Sequence, residues 1–412
     1  MTMGDSAPLG IGLIGCGSVA TNMHLNGWTR FPEKARLLAV FDVSGERARR
    51  MAQMVQDAYA ARAFEFSHRA VRIAYGQRDA QKEEAFMRRA AVARVAAEAP
   101  EVYTDLDRLL ADPRIDAVIV ATPHHLHAPI SARALAAGKH AFSEGPMAIN
   151  LEQADAVLDA QRASGKVYTA QYYSRYFRGA RQAYRLATEG KLGTILMARG
   201  DALWYRTQEY YERDPWRGTR AAGDRVFIHH GRYAMDLYLW VMNDEVEEVY
   251  AHAATKTHRI EVEDNAAVQL RFRSGAYGQM LLSTSAHPTG PLREDVERIE
   301  ILGERASLVG VLNYTTEDCD IAIGSRDADY ADELRRWADR EPPMPADGAT
   351  THYEAFVDAV LGGPPMLTEP ASTRKQVEVA RAISRSLAEK RPVGLPLRPG
   401  DPYYGPVAGY DA

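Results

Sequence analysis

A chain of 412 residues is longer than one ordinary hydrophobic core organises, so two domains are expected. With 46% hydrophobic and 25% charged residues the composition excludes a disordered or fibrous chain, and a formal net charge of -5 offers no basic field for nucleic acid. Two cysteines, Cys16 and Cys319, exclude a disulfide framework; with no signal-like start over residues 1–8 and no membrane-length apolar run, a soluble cytoplasmic protein without nucleic-acid or membrane partners is expected.

The first apolar run, 9–14, is short, rich in branched residues and closed by glycine, which reads as a buried parallel strand. A helix follows from about Val19. Residues 37–42 form a second strand ending in an acid, and Ser44 caps a helix that begins at Gly45 and Glu46. Further strands fall at 117–121 and 140–143, with helices at 105–110 and 129–137, the latter closed by Gly138. Strand and helix alternating over short links predict a doubly wound parallel sheet, a dinucleotide-binding Rossmann domain over 1–150. One stretch breaks this rhythm. Residues 57–100 are too many for a simple link, and 79–97 is rich in Ala, Glu and Arg with Met87, Ala91 and Val95 on one helical face. An inserted helical excursion serving the surface or a subunit contact is expected.

Beyond Asn150 the texture changes. A helix at 151–163 and a strand at 166–173, carrying an alternating tyrosine run, close the first sheet. Strands then dominate, at 196–204, 247–254, 266–272, 277–283 and 297–302, with turns at Ser274-Gly275 and Gly303. The expectation for 151–412 is an α+β domain for substrate binding and oligomerisation, with a large, mostly antiparallel open sheet. A proline-rich loop at 341–348 leads into closing helices at 353–361 and 372–390.

Gly15, Cys16, Gly17, Ser18, Val19 and Ala20 spell G-x-G-x-x-A between a strand and a helix. The glycines permit a tight turn and let the backbone approach a pyrophosphate, whose charge the helix N-terminus stabilises. Asp42 closes the second strand where an acid would accept hydrogen bonds from an adenosine ribose and repel a 2′-phosphate. NAD is the expected cofactor, although Arg47, Arg49 and Arg50 follow close behind.

Together with the run from Ala121 through Thr122 and Pro123 to His127, with Gly138-Lys139-His140 and with Ser143-Glu144-Gly145-Pro146-Met147, this loop resembles the glucose-fructose oxidoreductase, inositol dehydrogenase and rhizopine-catabolism (Gfo/Idh/MocA) family. The resemblance extends over nearly the whole chain, including residues 353–357 and 391–396. It implies an NAD(H)-dependent oxidoreductase acting on a hydroxyl or keto carbon of a sugar, cyclitol or sugar-like metabolite, assembled as a homodimer or homotetramer through its open sheet. It puts Thr122, Pro123 and His127 near the nicotinamide ribose, Glu144 and Pro146 beside the cofactor, and Arg175 on the substrate side.

Two motifs depart from the family. Members typically carry Glu-Lys-Pro, with the lysine assisting proton transfer, where this chain has Glu144-Gly145-Pro146. The family's Asp-x-Gly-x-His-x-x-Asp aligns with residues 229–236, so that the first Asp becomes His229 and the His becomes Tyr233, while Gly231 and Asp236 remain. His229 and Tyr233, at i and i+4, are expected to share one helical face and take over proton transfer, with His230 and Asp236 on the substrate side. Trp204 opens an aromatic, cationic stretch with Tyr205, Tyr210, Tyr211, Trp216 and Arg217, a composition that suits either stacking on sugar rings or an interface. His124, His125 and His127 resemble a metal cluster only superficially, and no metal is expected. The altered proton-transfer set keeps two other readings open: redox-neutral lyase, glycosidase or epimerase chemistry through transient oxidation, and a non-catalytic nucleotide-binding protein.

Overall fold

The computed structural model describes residues 7–76, 80–287, 296–313, 318–340, 351–408 and 410–411. Six parallel strands, β1 (Leu9–Ile14), β2 (Ala35–Phe41), β3 (Glu101–Tyr103), β4 (Ala117–Val120), β5 (His140–Ser143) and β6 (Tyr168–Ala170), form one sheet in the order β3-β2-β1-β4-β5-β6. The order reverses between β1 and β4, which opens a crevice beyond their C-terminal ends where doubly wound sheets take ligands. β3 escaped the sequence reading because two of its three residues are exposed and carry no apolar pattern. The helix expected after the glycine loop comes as two short segments, Ala20–His24 and Leu25–Trp28.

Ser44 caps the helix Gly45–Gly76 through a 3.4 Å bond from Arg47 N to its Oγ. That helix runs on into the inserted stretch, and a second helix, Ala80–Ala96, packs back against it. Residue 79 lies outside the described residues. The packed face is not the one read from the sequence: Met87, Ala91 and Val95 point to solvent, while Ala90 and Ala93 bury against Ala63 and Phe66. Alanine wins here because small side chains let two helices approach closely. The tyrosine run also departs from expectation: strand pairing stops at Ala170, and Tyr173 and Tyr176 fall in a tight turn.

The second sheet contains β7 (Ile195–Leu203), β8 (Val246–Ala254), β9 (Asn265–Phe272), β10 (Tyr277–Ser283), β11 (Val296–Gly303), β12 (Ser307–Asn313), β13 (Asp318–Gly324) and β14 (Val393–Gly394). Its order is β13-β12-β11-β7-β10-β9-β8-β14, and every pairing is antiparallel except β7 with β10. The last three strands were not read from the sequence: β13 opens on Asp318-Cys319-Asp320 and keeps only Cys319 fully buried, and β14 has two residues only. The helices Arg178–Thr188 and Arg232–Met242 cover one face. Gly278 makes room for Tyr238, whose Oη would lie 2.2 Å from a Cβ at that position. Met197, Tyr277 and Leu302 stand exposed on the sheet.

A boundary at 150 cuts through the first sheet, because the helix Leu151–Ser164 and β6 complete it. The helix Thr351–Val360 also returns to that domain, while the proline-rich loop at 341–348 lies outside the described residues. Trp28, 1% exposed, anchors the return, with ring centroids 5.1 Å from Tyr353, 6.1 Å from Phe356 and 5.7 Å from Phe142 of β5. Trp28→Ala should therefore lower the free energy of unfolding by about 3–5 kcal/mol. Chemical denaturation measures it, and a loss below about 1 kcal/mol would mean that this contact does not hold the helix in place.

Candidate active site

The C-terminal ends of β1, β2 and β4 open into a cleft of about 710 Å³ shared with the second domain. At one end lies the turn after β1. Gly15 has φ +93°, and a Cβ there would sit 2.5 Å from Ala121 O, so glycine alone fits. A Cβ at Gly17 would meet nothing within 4 Å, which leaves open space for a pyrophosphate beside Ser18 and Val19. The Asp42 carboxylate accepts from Cys16 N at 3.0 Å, from Ser44 N at 2.8 Å and from Arg47 Nε at 3.1 Å. The loop thus orients the acid with no ligand needed. An open glycine cradle and a pre-aimed carboxylate fit NAD.

Thr122, Pro123 and Glu144 line the cleft as well. His127 lies between two backbone carbonyls, with Nδ1 2.8 Å from Pro146 O and Nε2 2.7 Å from Thr122 O, and so braces two loops of the wall. Ala20 and Pro146 stand behind that wall rather than on it.

Tyr210, Trp216, Arg217, His229 and Arg232 close the other end. His229 sits in the turn before the helix Arg232–Met242, whereas Tyr233 is in its first turn, so the two share no helical face. His229 Nδ1 is hydrogen-bonded to Asp224 Oδ1, a partner the sequence reading missed. Asp224 is 2% exposed and also accepts from Gly218 N. Burial pushes the Asp224 carboxyl up to about 7, against the opposing pull of Gly218 N–H, Arg217 and Arg232. Burial, and then Arg232, Arg217 and Arg206, push His229 well below its ordinary value. The imidazole is therefore neutral at neutral pH; when Asp224 is ionised, Nδ1 carries the proton it donates to the carboxylate and Nε2 is left as a proton acceptor.

The Arg232 guanidinium adjoins this pair. Its Nη1 donates to His229 O at 2.6 Å, its Nη2 donates to Tyr233 Oη at 2.7 Å, and Nη2 lies 3.6 Å from Glu144 Oε2. His124 completes the group, with Nδ1 3.8 Å from Asp224 Oδ1. One donor atom each from His124, Asp224 and His229 lies within 4.8 Å of the others, a spacing that also suits metal ligands. The guanidiniums that depress His229 oppose a divalent cation in the same place.

Other expectations are corrected. Tyr233 is buried against Tyr172 and Tyr173, off the cleft, and burial pushes its hydroxyl pKa up, so it is not placed to exchange a proton with a ligand. Arg175 and Asp236 saturate each other instead of a substrate. Arg175 Nε and Nη2 donate to the two Asp236 oxygens at 2.7 and 2.5 Å, and its Nη1 donates to Leu367 O and Ser372 Oγ. At 2% and 1% exposure they form an interior clasp. His230 and Trp204 also lie behind the lining: His230 stacks on His229 with centroids 4.0 Å apart, and Trp204 meets His230 edge-on.

Residues 54–172 match the family model for the oxidoreductase family with an NAD-binding Rossmann fold, and residues 180–309 match the GFO/IDH/MocA C-terminal domain. The chain is 29% identical over 270 residues to the 1,5-anhydro-D-fructose reductase of Ensifer adhaerens, covering 64% of this chain and 75% of that protein. It is 27% identical over 330 residues to the levoglucosan dehydrogenase of Pseudarthrobacter phenanthrenivorans, covering 71% and 83%. The WlbA dehydrogenase from Chromobacterium violaceum, solved in complex with NADH and UDP-GlcNAcA, has the same fold, with a TM-score of 0.73 at 24% identity over 96% of this chain and 98% of that one. With both family domains matched and the glycine turn, Asp42 and the second sheet in place, this chain belongs to the Gfo/Idh/MocA family of oxidoreductases.

Proposed function

We propose that this protein is an NAD(H)-dependent oxidoreductase that interconverts a hydroxyl and a keto carbon on a sugar, cyclitol or sugar-like metabolite, with His229 as the proton-transfer base. The observation that carries the reading is the dyad: a neutral imidazole, oriented by the buried Asp224 carboxylate, on the wall of the cleft that begins at the glycine turn. Sugar-directed chemistry is supported by the reductase and dehydrogenase relatives.

Bound NAD supplies the hydride acceptor and donor. The open backbone at Gly17 takes the diphosphate, Asp42 takes the ribose hydroxyls, and Thr122, Pro123 and Glu144 wall the space beyond. His229 Nε2 removes the hydroxyl proton, Asp224 stabilises the imidazolium so formed, and the same imidazolium returns the proton during reduction. Tyr210 and Trp216 present aromatic faces for a sugar ring and are steadied by Arg217, whose Cζ lies 4.2 and 4.8 Å from their centroids.

Residues 1–150, together with β6, form the cofactor half of this scheme, and the remainder carries substrate contacts and assembly. The exposed Met197, Tyr277 and Leu302 support self-association through the open sheet face as a dimer or tetramer. Two buried free thiols, and the absence among the described residues of any helix long and apolar enough to cross a membrane, suit a cytoplasmic setting.

Supplied with NAD and with myo-inositol, levoglucosan or 1,5-anhydro-D-glucitol in turn, the protein should form NADH with at least one of them. His229→Ala should cut that turnover by roughly 10²–10⁴-fold with NAD affinity unchanged; full activity in the variant would reject the dyad. Product without net NADH, lost when NAD is removed, would assign redox-neutral chemistry, and neither binding nor turnover would favour the non-catalytic reading. The base works only with Asp224 ionised. Because burial raises that carboxyl to about 7, the oxidation rate should fall as pH drops through about 7. Asp224→Asn should abolish this limb and slow turnover by up to roughly 10⁴-fold, whereas an unchanged pH profile would remove Asp224 from the scheme. Asp42→Ala should narrow a preference for NAD over NADP, and equal affinities in the unaltered protein would count against that assignment. Light scattering at micromolar concentration should report a dimer or tetramer; a monomer would rule out the sheet-face contact.

A further inference from the structure

We infer that Arg232 is the cation that steadies the oxygen on the reacting carbon, reaching the cleft from the second domain through space that a side chain at position 145 would otherwise fill. The inference rests on the oxidoreductase reading above and adds a residue to it. An ideal Cβ at Gly145 would lie 3.0 Å from Arg232 Nε, 3.3 Å from its Cδ and 3.1 Å from Gln171 O. Both Gly145 and Arg232 line the cleft. Glycine at 145 and arginine at 232 are therefore matched: a Cβ at 145 would crowd the Arg232 side chain and Gln171 O, which would have to give by a few tenths of an ångström.

The donors of Arg232 are unevenly used. Nη1 and Nη2 donate to His229 O and Tyr233 Oη, but Nε is buried with no partner among the described residues. A buried donor left over in a cleft wall is a place for a ligand oxygen. The bond to His229 O also fixes the cation relative to the base. Burial alone would favour the neutral guanidine, yet Tyr233 and Glu144 hold its pKa above the ordinary value, so the charge is permanent.

The division of labour follows from the chemistry. During oxidation the substrate O–H proton goes to His229 Nε2, and the C–H bond breaks with its electron pair passing as hydride to NAD+. The remaining C–O becomes a carbonyl, and the oxygen carries negative charge on the way. A fixed cation lowers the energy of that charge. A guanidinium does not release its proton near neutral pH, so Arg232 stabilises and His229 alone transfers.

The test compares Arg232→Gln, Arg232→Ala, Gly145→Ala and the double variant Gly145→Lys/Arg232→Ala, each checked for thermal unfolding. NADH affinity is read by fluorescence, and formate, a small oxyanion probe, is titrated into the NAD-loaded protein by calorimetry. Arg232→Gln should leave NADH affinity within about twofold, weaken formate at least about tenfold and slow polyol oxidation roughly 10²–10³-fold. Gly145→Ala, whose methyl would crowd Arg232 Nε and Cδ without removing the cation, should lower formate affinity and turnover in the same direction by a smaller factor. The double variant should exceed Arg232→Ala in turnover and show an added alkaline limb, because an ammonium titrates where a guanidinium does not. Unchanged formate affinity in Arg232→Gln, or in Arg232→Ala should Arg232→Gln fail to fold, overturns the inference. So does a loss of NADH affinity that matches the loss of turnover, since Arg232 would then serve the cofactor. If the unaltered protein oxidises no polyol, the oxidoreductase reading fails, and the formate titration, which needs no turnover, still decides the role of Arg232.

Discussion

A carboxylate just past β5 and a guanidinium at the head of a second-domain helix are both withdrawn from water, and neither stays charged there without compensation. Glu144 is 4% exposed and Arg232 is 6% exposed. Burial would push the Glu144 carboxyl up, but His24 and Arg232 hold it below the ordinary carboxylate range. His24 comes from the segment after the glycine turn, with Nε2 3.0 Å from Glu144 Oε1. One buried carboxylate thus connects the phosphate loop, the end of the parallel sheet and the turn that carries His229. The cleft walls face each other because this charge must be shared between domains.

Arginines that look alike in the sequence differ in how their donors are satisfied. Arg175 meets both oxygens of Asp236, a carbonyl and a hydroxyl, and nothing is left to address a ligand. Arg217 lies between two aromatic rings and donates to Asp214, which stiffens the cleft's far wall. Arg232 alone of these three keeps a buried donor without a partner. Full satisfaction makes Arg175 a structural clasp, whereas Arg232 keeps a donor in reserve beside an oriented imidazole. By the same measure the hydrogen bond to Asp224 orients the His229 ring and, with that carboxyl ionised, leaves Nε2 as its free acceptor nitrogen.

What the sequence determined by itself is whatever repeats locally or sits at a fixed spacing. Strand and helix alternation specified the parallel sheet, G-x-G-x-x-A specified the turn, and Asp42 specified the acid beside it, because each is set by neighbours along the chain. Weak patterns were lost: β3 and β14 are too short for a period to register, and the packed face of the inserted hairpin is made of alanines that signal neither burial nor exposure. The His229–Asp224 pair was only half legible. His229 could be singled out by its residue type and motif position, but Asp224 is joined to it by a turn with no period, and Arg232 and Tyr233, adjacent in sequence and in contact through their side chains, differ in that only Arg232 lines the cleft. Whether Arg175 and Asp236 face a ligand or each other depended on contacts between residues 61 or more positions apart. Only the folded arrangement of both domains decides such contacts, because burial removes the water that would otherwise satisfy each charge separately.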